Sequence, residues 1–171
     1  MKIETKRLIL REFALDDLAD LHEIFSDPIV MEHTEPPYDL AKTRQFLEEF
    51  CIEEKGAVAA VCKTKGKLIG YMLFNEHDEP EIYQIGWIFN KDFWGRGLAY
   101  EAAAALISHG FEDLKLHKIF ARAEDAVKSV GLMKKLGMVC EGVFRKNDKS
   151  PDGTKWLDRH YYAILREDYG V

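Results

Sequence analysis

The 171-residue sequence lacks the features that mark several familiar protein classes. Its three cysteines, Cys51, Cys62 and Cys140, are odd in number, widely spaced and outside any Cys-x-x-Cys or Cys/His cluster. This spacing argues against a disulfide scaffold and a zinc site, and it predicts reduced thiols in a cytoplasmic protein with no metal. The sequence also contains no low-complexity tract and no visible internal repeat.

Long hydrophobic runs and an excess of basic residues are absent as well. No apolar run approaches the roughly 20 residues of a membrane span, and the first residues lack the apolar core of a signal peptide. The formal net charge is −6, whereas a general nucleic-acid binder is more often basic. We therefore expect neither a membrane nor a nucleic acid as partner, and the acidity is compatible with a cationic small molecule or peptide.

What is present fits one domain over residues 1–171. With 47% apolar and 32% charged residues, the chain is long enough to bury a sizeable core, and no composition shift suggests a boundary. The apolar patterning predicts seven strands and four helices in the order β-α-α-β-β-β-α-β-α-β-β. Because hairpins precede strand–helix–strand crossovers, we expect a mixed sheet in an α/β or α+β fold.

The most informative stretch covers residues 83–111 and combines a strand, a glycine loop and an Ala-rich helix. The strand is rich in β-branched and aromatic residues and ends near Phe89. Gly95-Arg96-Gly97 then lead into a segment whose apolar residues follow a helical spacing. A helix that opens on glycines directs free N–H groups and its positive dipole end at whatever lies in front. The stretch therefore predicts an anion site, most often for phosphate.

The Gly-x-Gly pattern by itself is a weak signal, because 12 glycines in 171 positions give about 0.8 occurrences per chain by chance. A dinucleotide fingerprint would need a third glycine and an acidic residue about 20 positions later, and residues 99–105 contain no such glycine. A Walker loop would need Gly-Lys-Ser or Gly-Lys-Thr, which occurs nowhere in the chain. Two common kinds of phosphate site are thereby excluded.

Several further motifs accompany the glycine loop in a defined order. They are residues 5–11 (TKRLILR), Ile85-Gly86-Trp87, the loop WGRGLA at residues 94–99, Ser129, Leu136-Gly137-Met138, residues 141–145 (EGVFR) and Trp156-x-Asp158. In this order and at these spacings, nearly the whole chain resembles the GNAT-fold N-acetyltransferases. The resemblance is to the branch that includes the ribosomal-protein alanine and serine N-acetyltransferases, where Trp94 occupies the first place of the Q/R-x-x-G-x-G/A loop.

The resemblance implies a single-domain, mostly antiparallel sheet with splayed strands and acetyl-CoA as co-substrate. The backbone amides of the glycine loop would hold the CoA pyrophosphate, and they belong to Gly95, Arg96, Gly97, Leu98 and Ala99. Unpaired backbone groups at the end of the preceding strand would bind pantetheine and the acetyl carbonyl, and they belong to Trp87, Ile88 and Phe89. The strand at residues 117–123 would form the other side of this gap. The expected reaction is direct acetyl transfer to a primary amine, with an amide stabilising the oxyanion.

Two proton transfers remain to be assigned. Ser129 stands where this branch carries a hydroxyl that could protonate the departing thiolate, although a serine in a first helical turn often bonds only to backbone. The acceptor amine must also lose a proton, and six candidate side chains occur in residues 29–38 and 75–81, which are predicted loops. These candidates are Glu32, His33, Glu35, Glu76, His77 and Glu81, and the sequence favours none of them.

Two positions depart from the family's pattern. Ala126 replaces an asparagine that usually contacts the cofactor, which removes one hydrogen bond of about 0.5–1.5 kcal/mol. Gln84 replaces a frequent carboxylate and weakens the case for a base on this strand. Our main hypothesis is an enzyme, monomer or homodimer, that acetylates a protein N-terminus, a polyamine or another small amine such as an antibiotic. The alternative is a non-catalytic acyl-CoA-binding sensor or degenerate relative.

Overall fold

The computed structural model describes residues 1–124 and 127–170, within which eight strands form one open sheet. The strands are β1 (Lys2–Glu4), β2 (Leu8–Arg11), β3 (Ala57–Cys62), β4 (Lys67–His77), β5 (Glu79–Phe89), β6 (Lys118–Ala123), β7 (Val139–Lys149) and β8 (Trp156–Leu165). Their spatial order is β1-β2-β3-β4-β5-β6-β8-β7. All neighbouring pairs are antiparallel except β5 and β6, which are parallel. The predicted mixed, mostly antiparallel sheet is confirmed.

Five α-helices in the described ranges cover the two faces of the sheet, and α2 continues as a π-helical segment over Leu47–Glu53. They are α1 (Leu18–Phe25), α2 (Leu40–Phe46), α3 (Leu98–Glu112), α4 (Lys128–Lys135) and α5 (Arg166–Tyr169). Because side chains alternate along a strand, Val58 packs in the core beneath α3 and α4, while its neighbour Ala59 packs in the core beneath α1 and α2. None of these five helices is both long and apolar enough to span a bilayer.

The prediction of seven strands and four helices is wrong by one strand and one helix. Strand β1 has three residues, of which only Ile3 is apolar, and it exists by pairing with β2 at the sheet edge. Helix α5 is a single turn that places the ring of Tyr169 against Phe111. Such short elements depend on tertiary contacts, and three or four residues carry no measurable periodicity.

The predicted loop at residues 75–81 is also wrong, because β4 and β5 continue through it as a hairpin. Strand β4 reaches His77 and β5 begins at Glu79, so the chain reverses at Asp78, whose φ is +56°. Backbone pairing places Asn75, Glu76 and His77 opposite Gln84, Tyr83 and Glu79, although the composition of this segment resembles that of a loop. The other predicted loop, residues 29–38, does connect α1 and α2 without regular structure.

Strands β5 and β6 pair along only half of their length. Their parallel register joins Ile82, Tyr83 and Gln84 to residues 118–120 and ends there, although β5 continues to Phe89 and β6 to Ala123. On its other side, β6 stays paired with β8 throughout. The two strands therefore diverge beyond Gln84, as predicted, and the exposed edge of β5 borders a gap in the sheet.

Candidate active site

A cavity of ≈ 200 Å³ passes through the gap between β5 and β6. Trp87 and Ile88 line it from β5, and Ala121 lines it from β6. Ser129 of α4 borders it on one face of the sheet, and Tyr71 of β4 borders it on the other. The gap therefore connects the α3/α4 side of the molecule with the α1/α2 side.

Phe89, the last residue of β5, differs from its two neighbours. It is buried, and its carbonyl oxygen accepts a hydrogen bond of 2.8 Å from the indole Nε1 of Trp94. Phe89 does not line the cavity. Of the three β5 residues predicted to contact the acyl chain, the structure thus brings Trp87 and Ile88 into the gap, while Phe89 anchors the glycine loop through Trp94.

The glycine loop presents a row of backbone N–H groups without partners. The amides of residues 95–100 have no hydrogen-bond acceptor among the described residues, and the first bond of α3 runs from Glu101 N to Gly97 O at 3.1 Å. Gly95 and Gly97 have φ of +72° and +73°, a region that side chains disfavour. No atom lies within 4 Å of the position that a Cβ on Gly95 would take. These donors at the positive end of α3 form an open cradle for an anion.

A clamp from the N-terminal strands fixes the direction of this loop. Arg7 Nη1 donates to the Arg96 carbonyl at 2.8 Å, and Arg7 Nε donates to Glu101 at 2.6 Å. Glu101 also accepts from the Arg7 amide at 2.7 Å and from the Thr5 hydroxyl at 2.6 Å. In a planar trans peptide, the C=O and the following N–H point in opposite directions. The clamped Arg96 carbonyl therefore directs the Gly97 N–H away from Arg7.

The glycine loop is held at its two ends by hydrogen bonds to the carboxylates of Glu101 and Glu23, and the pKa of each lies below its ordinary value. Burial raises the pKa of Glu101, but the hydrogen bonds from Thr5 and Arg7 lower it more, so that it lies below its ordinary value. The start of the loop is held by Asn90, which is buried and donates to Glu23 of α1 at 2.7 Å. Hydrogen bonds from Lys67 and Asn90 hold the pKa of Glu23 below its ordinary value. The loop is thus attached at both ends to ionised groups.

A second cavity of ≈ 350 Å³ lies on the α1/α2 side and meets the first. Its floor is aromatic and is formed by Phe25, Tyr38, Phe46, Phe50 and Tyr71. Burial raises the pKa of both tyrosines, which are therefore neutral hydroxyl groups at physiological pH. Six residues line both cavities, and they are Thr34, Tyr71, Gln84, Ile88, Arg122 and Glu124. A molecule in the second cavity can consequently reach an acyl group held in the gap.

The structure separates the six candidate bases into two groups. His33 borders the gap and Glu35 borders the aromatic cavity. The Glu35 carboxylate lies 3.1 Å from the Lys42 ammonium and accepts a 3.0 Å hydrogen bond from the Tyr38 hydroxyl. The remaining four line neither cavity, and they are Glu32, Glu76, His77 and Glu81.

Two charged residues at the end of β6 line both cavities but were absent from the sequence prediction. Arg122 is exposed and forms no ion pair with any residue in the described ranges. Glu124 lies 3.6 Å from Arg159 Nε, and Arg159 also pairs with Asp148. The alternation along β6, with Ala121 in the α3/α4 core, is the signal that places Arg122 on the opposite face.

Ser129 lies in the first turn of α4 and borders the gap. It is half-buried, and its hydroxyl makes no hydrogen bond with the part of the chain that the structure describes. A bond to backbone, the alternative role considered for this serine, is therefore not seen there. Ala126, where the family's asparagine is replaced, lies outside the described residues.

Comparison with known proteins identifies relatives over the full length of this chain. The family described as "Acetyltransferase (GNAT) domain" matches residues 7–139. The chain is 36% identical over 174 residues to YnaD of Bacillus subtilis (strain 168), an uncharacterized N-acetyltransferase, with 99% of both chains covered. A crystal structure of a GNAT-family acetyltransferase from Bacillus anthracis superposes with a TM-score of 0.90 at 34% identity, covering 98% of this chain and 99% of that one. Spermidine N-acetyltransferase from Vibrio cholerae, solved with CoA and spermine, shares the fold with a TM-score of 0.83 at 21% identity, covering 96% and 99%.

Proposed function

The chain belongs to the GNAT acetyltransferase family, and from this premise we propose that it transfers the acetyl group of acetyl-CoA directly to a primary amine. One observation carries the proposal. The amides of residues 95–100, which have no acceptor among the described residues, follow β5 after a short connection; the free edge of β5 borders the gap, and the gap opens into a second cavity. An anion cradle joined to a narrow slot suits a molecule with a pyrophosphate at one end and a thioester at the other.

We assign the pyrophosphate to the backbone amides of the glycine loop. The assignment rests on Gly95 and Gly97, whose missing side chains let phosphate oxygens approach the backbone. Leu98 also fits this assignment. Its buried side chain packs the start of α3 against the core, and its N–H has no partner among the described residues. Arg96 and Ala99 contribute their amides in the same row.

We assign pantetheine and the acetyl group to the free edge of β5 at Trp87 and Ile88. When bound, acetyl-CoA supplies an activated acetyl group. A backbone N–H already fixed along this edge stabilises negative charge on the acetyl oxygen without reorganising during the reaction. Phe89 contributes less than its neighbours, because its carbonyl is already bonded to Trp94.

The proton transfers are assigned to side chains that border the gap. Ser129 Oγ has no competing hydrogen bond with a described residue, so it is available to donate a proton to the departing sulfur. The acceptor nitrogen loses a proton as it attacks. Glu124 lines both cavities and accepts that proton, either directly or through water.

The finer identity of the enzyme also belongs to this proposal. Trp94 in the glycine loop supports the branch of the ribosomal-protein alanine and serine N-acetyltransferases. The acceptor is a protein N-terminus, a polyamine or another small amine. One domain over residues 1–171, a monomeric or homodimeric state and a cytoplasmic location stay predictions.

The direct test measures CoA thiol release from acetyl-CoA over a panel of primary amines. Cys140 is exposed whereas Cys51 and Cys62 are buried, so a Cys140→Ser background lowers the protein's own signal with a thiol reagent. We expect amine-dependent release well above the rate without amine. Tight acetyl-CoA binding without turnover on any amine would favour the non-catalytic sensor, and absence of CoA binding would overturn both.

A further inference from the structure

The floor of the second cavity consists of closely packed aromatic rings. Phe25 and Tyr38 meet edge to face with ring centres 5.3 Å apart, Phe25 and Tyr71 meet likewise at 5.4 Å, and Phe46 stacks on Phe50 at 5.1 Å. The volume of ≈ 350 Å³ is at the lower end of the range of about 300–1,000 Å³ for small-molecule sites. The cavity therefore suits one apolar group of side-chain size better than a long chain.

The charged groups around this cavity are unequally compensated. Glu35 is paired with Lys42 at 3.1 Å, and Glu124 lies 3.6 Å from Arg159 Nε. Arg122 is exposed, lines both cavities and forms no ion pair within the described part of the chain. The carboxylates that line the second cavity thus already face cations, and the uncompensated charge at its junction with the gap is positive.

This charge pattern disfavours a polyamine. A polyamine carries several positive charges, each of which needs an uncompensated carboxylate, and a guanidinium at the junction would repel them. A carboxylate on the acceptor would instead match the planar, bidentate fork of Arg122. Resting on the proposed function, we propose that the acceptor is a free α-amino acid, or an amine built like one, with an apolar side chain.

The placement of its three groups follows from the residues that the two cavities share. The apolar side chain occupies the aromatic cavity, the carboxylate binds Arg122, and the amine lies beside Ile88, where the acetyl group is held. In an α-amino acid the amine and the carboxylate are attached to one carbon, and Arg122 and Ile88 border the same junction. The nitrogen forms an amide bond with the acetyl carbon while the carbon–sulfur bond breaks. The nitrogen loses one proton, and the sulfur gains one.

The experiment compares L-phenylalanine with 2-phenylethylamine, which has the same ring and amine but no carboxylate. For the wild-type enzyme we expect kcat/KM to be at least about tenfold higher with phenylalanine, the effect of one charge-assisted hydrogen bond. Arg122→Gln should lower kcat/KM at least about tenfold for phenylalanine and less than about twofold for phenylethylamine. Because the two amines differ in basicity, the decisive quantity is the change that the variant causes in each. Arg145→Gln, an exposed arginine on β7 that lines neither cavity, is the matched control.

Several outcomes would overturn this inference. If Arg122→Gln lowers kcat/KM equally for both amines, Arg122 acts through the cofactor or the fold. Measurements of CoA affinity and thermal unfolding would distinguish these two causes. Spermidine as a better substrate than phenylalanine, with efficiency unchanged in the variant, would refute the amino-acid acceptor and leave the acetyltransferase in place. No turnover with any of the three amines despite bound acetyl-CoA would overturn the amino-acid acceptor, and the acetyltransferase proposal falls only if the full amine panel, with an N-terminal peptide included, also gives no turnover.

Discussion

Removing the guanidinium of Arg7 is expected to weaken acetyl-CoA binding specifically at its pyrophosphate end. Arg7 holds the Arg96 carbonyl at 2.8 Å and thereby orients the peptide whose N–H belongs to Gly97. Arg7→Met keeps an apolar stem of similar length but cannot donate to that carbonyl. The Arg96–Gly97 peptide can then rotate, and its N–H is directed at the anion for only part of the time.

The size of the effect follows from the exposure of the bond. A hydrogen bond to a charged group contributes about 1.5–3 kcal/mol. The Arg7 side chain is 44% exposed, and screening by water reduces the contribution to about 1 kcal/mol. This value corresponds to about a fivefold loss of affinity for acetyl-CoA. Acetyl-pantetheine has no pyrophosphate, so kcat/KM with this donor should change by less than about 1.5-fold in Arg7→Met.

The assay is kcat/KM for each acyl donor at saturating amine, because this ratio stays measurable when affinity is low. Arg7→Lys retains the positive charge but cannot bond to Arg96 and Glu101 with one rigid fork, so it should behave like Arg7→Met. Lys2→Met removes an exposed charge from β1 without contact to the loop and should match the wild type. Equal losses with both donors, or full rescue by lysine, would refute the clamp.

Three further predictions concern catalysis, packing and pH. Ser129→Ala should lower kcat by at least about 100-fold with unchanged CoA affinity, and unchanged kcat would remove its acid role. Gly131→Ala meets no atom within 4 Å in α4 and should raise the free energy of unfolding by up to about 1 kcal/mol. Gly110→Ala places a Cβ 2.7 Å from Ile119 Cδ1 and should lower the free energy of unfolding by about 1–2 kcal/mol. If urea unfolding showed changes of the same sign in both glycine variants, the packing argument would be contradicted. Burial raises the pKa of Cys51 to about 12, above the 8.5 or so of a free thiol. Its contribution to stability is therefore complete below about pH 8.5 and is lost as pH rises toward 12; the loss between pH 8 and 10.5 should be smaller in Cys51→Ala, and an identical loss would contradict this.

The elements of the cofactor half could be predicted from the sequence because they are contiguous. Strand, glycine loop and helix follow one another within residues 83–111, so local patterning was sufficient to place the free amides at a helix start. Two helix ends also follow local rules. The Asp39 side chain caps α2 by accepting from Lys42 N, and Gly137 adopts φ +81° just after α4.

The acceptor half depends on contacts that no local pattern encodes. Its aromatic floor combines residues from α1, α2, β4 and the segments on either side of α2. Arg122, which has no ion pair among the described residues, comes from β6. The clamp between Arg7 and Glu101 joins positions 94 residues apart. Register and crossover direction decide which of these side chains face one another, and both are set by the packing of the whole sheet. Local sequence patterns were therefore enough to predict the glycine loop and the strand beside it, whereas the side chains around the second cavity are brought together by the packing of the whole sheet.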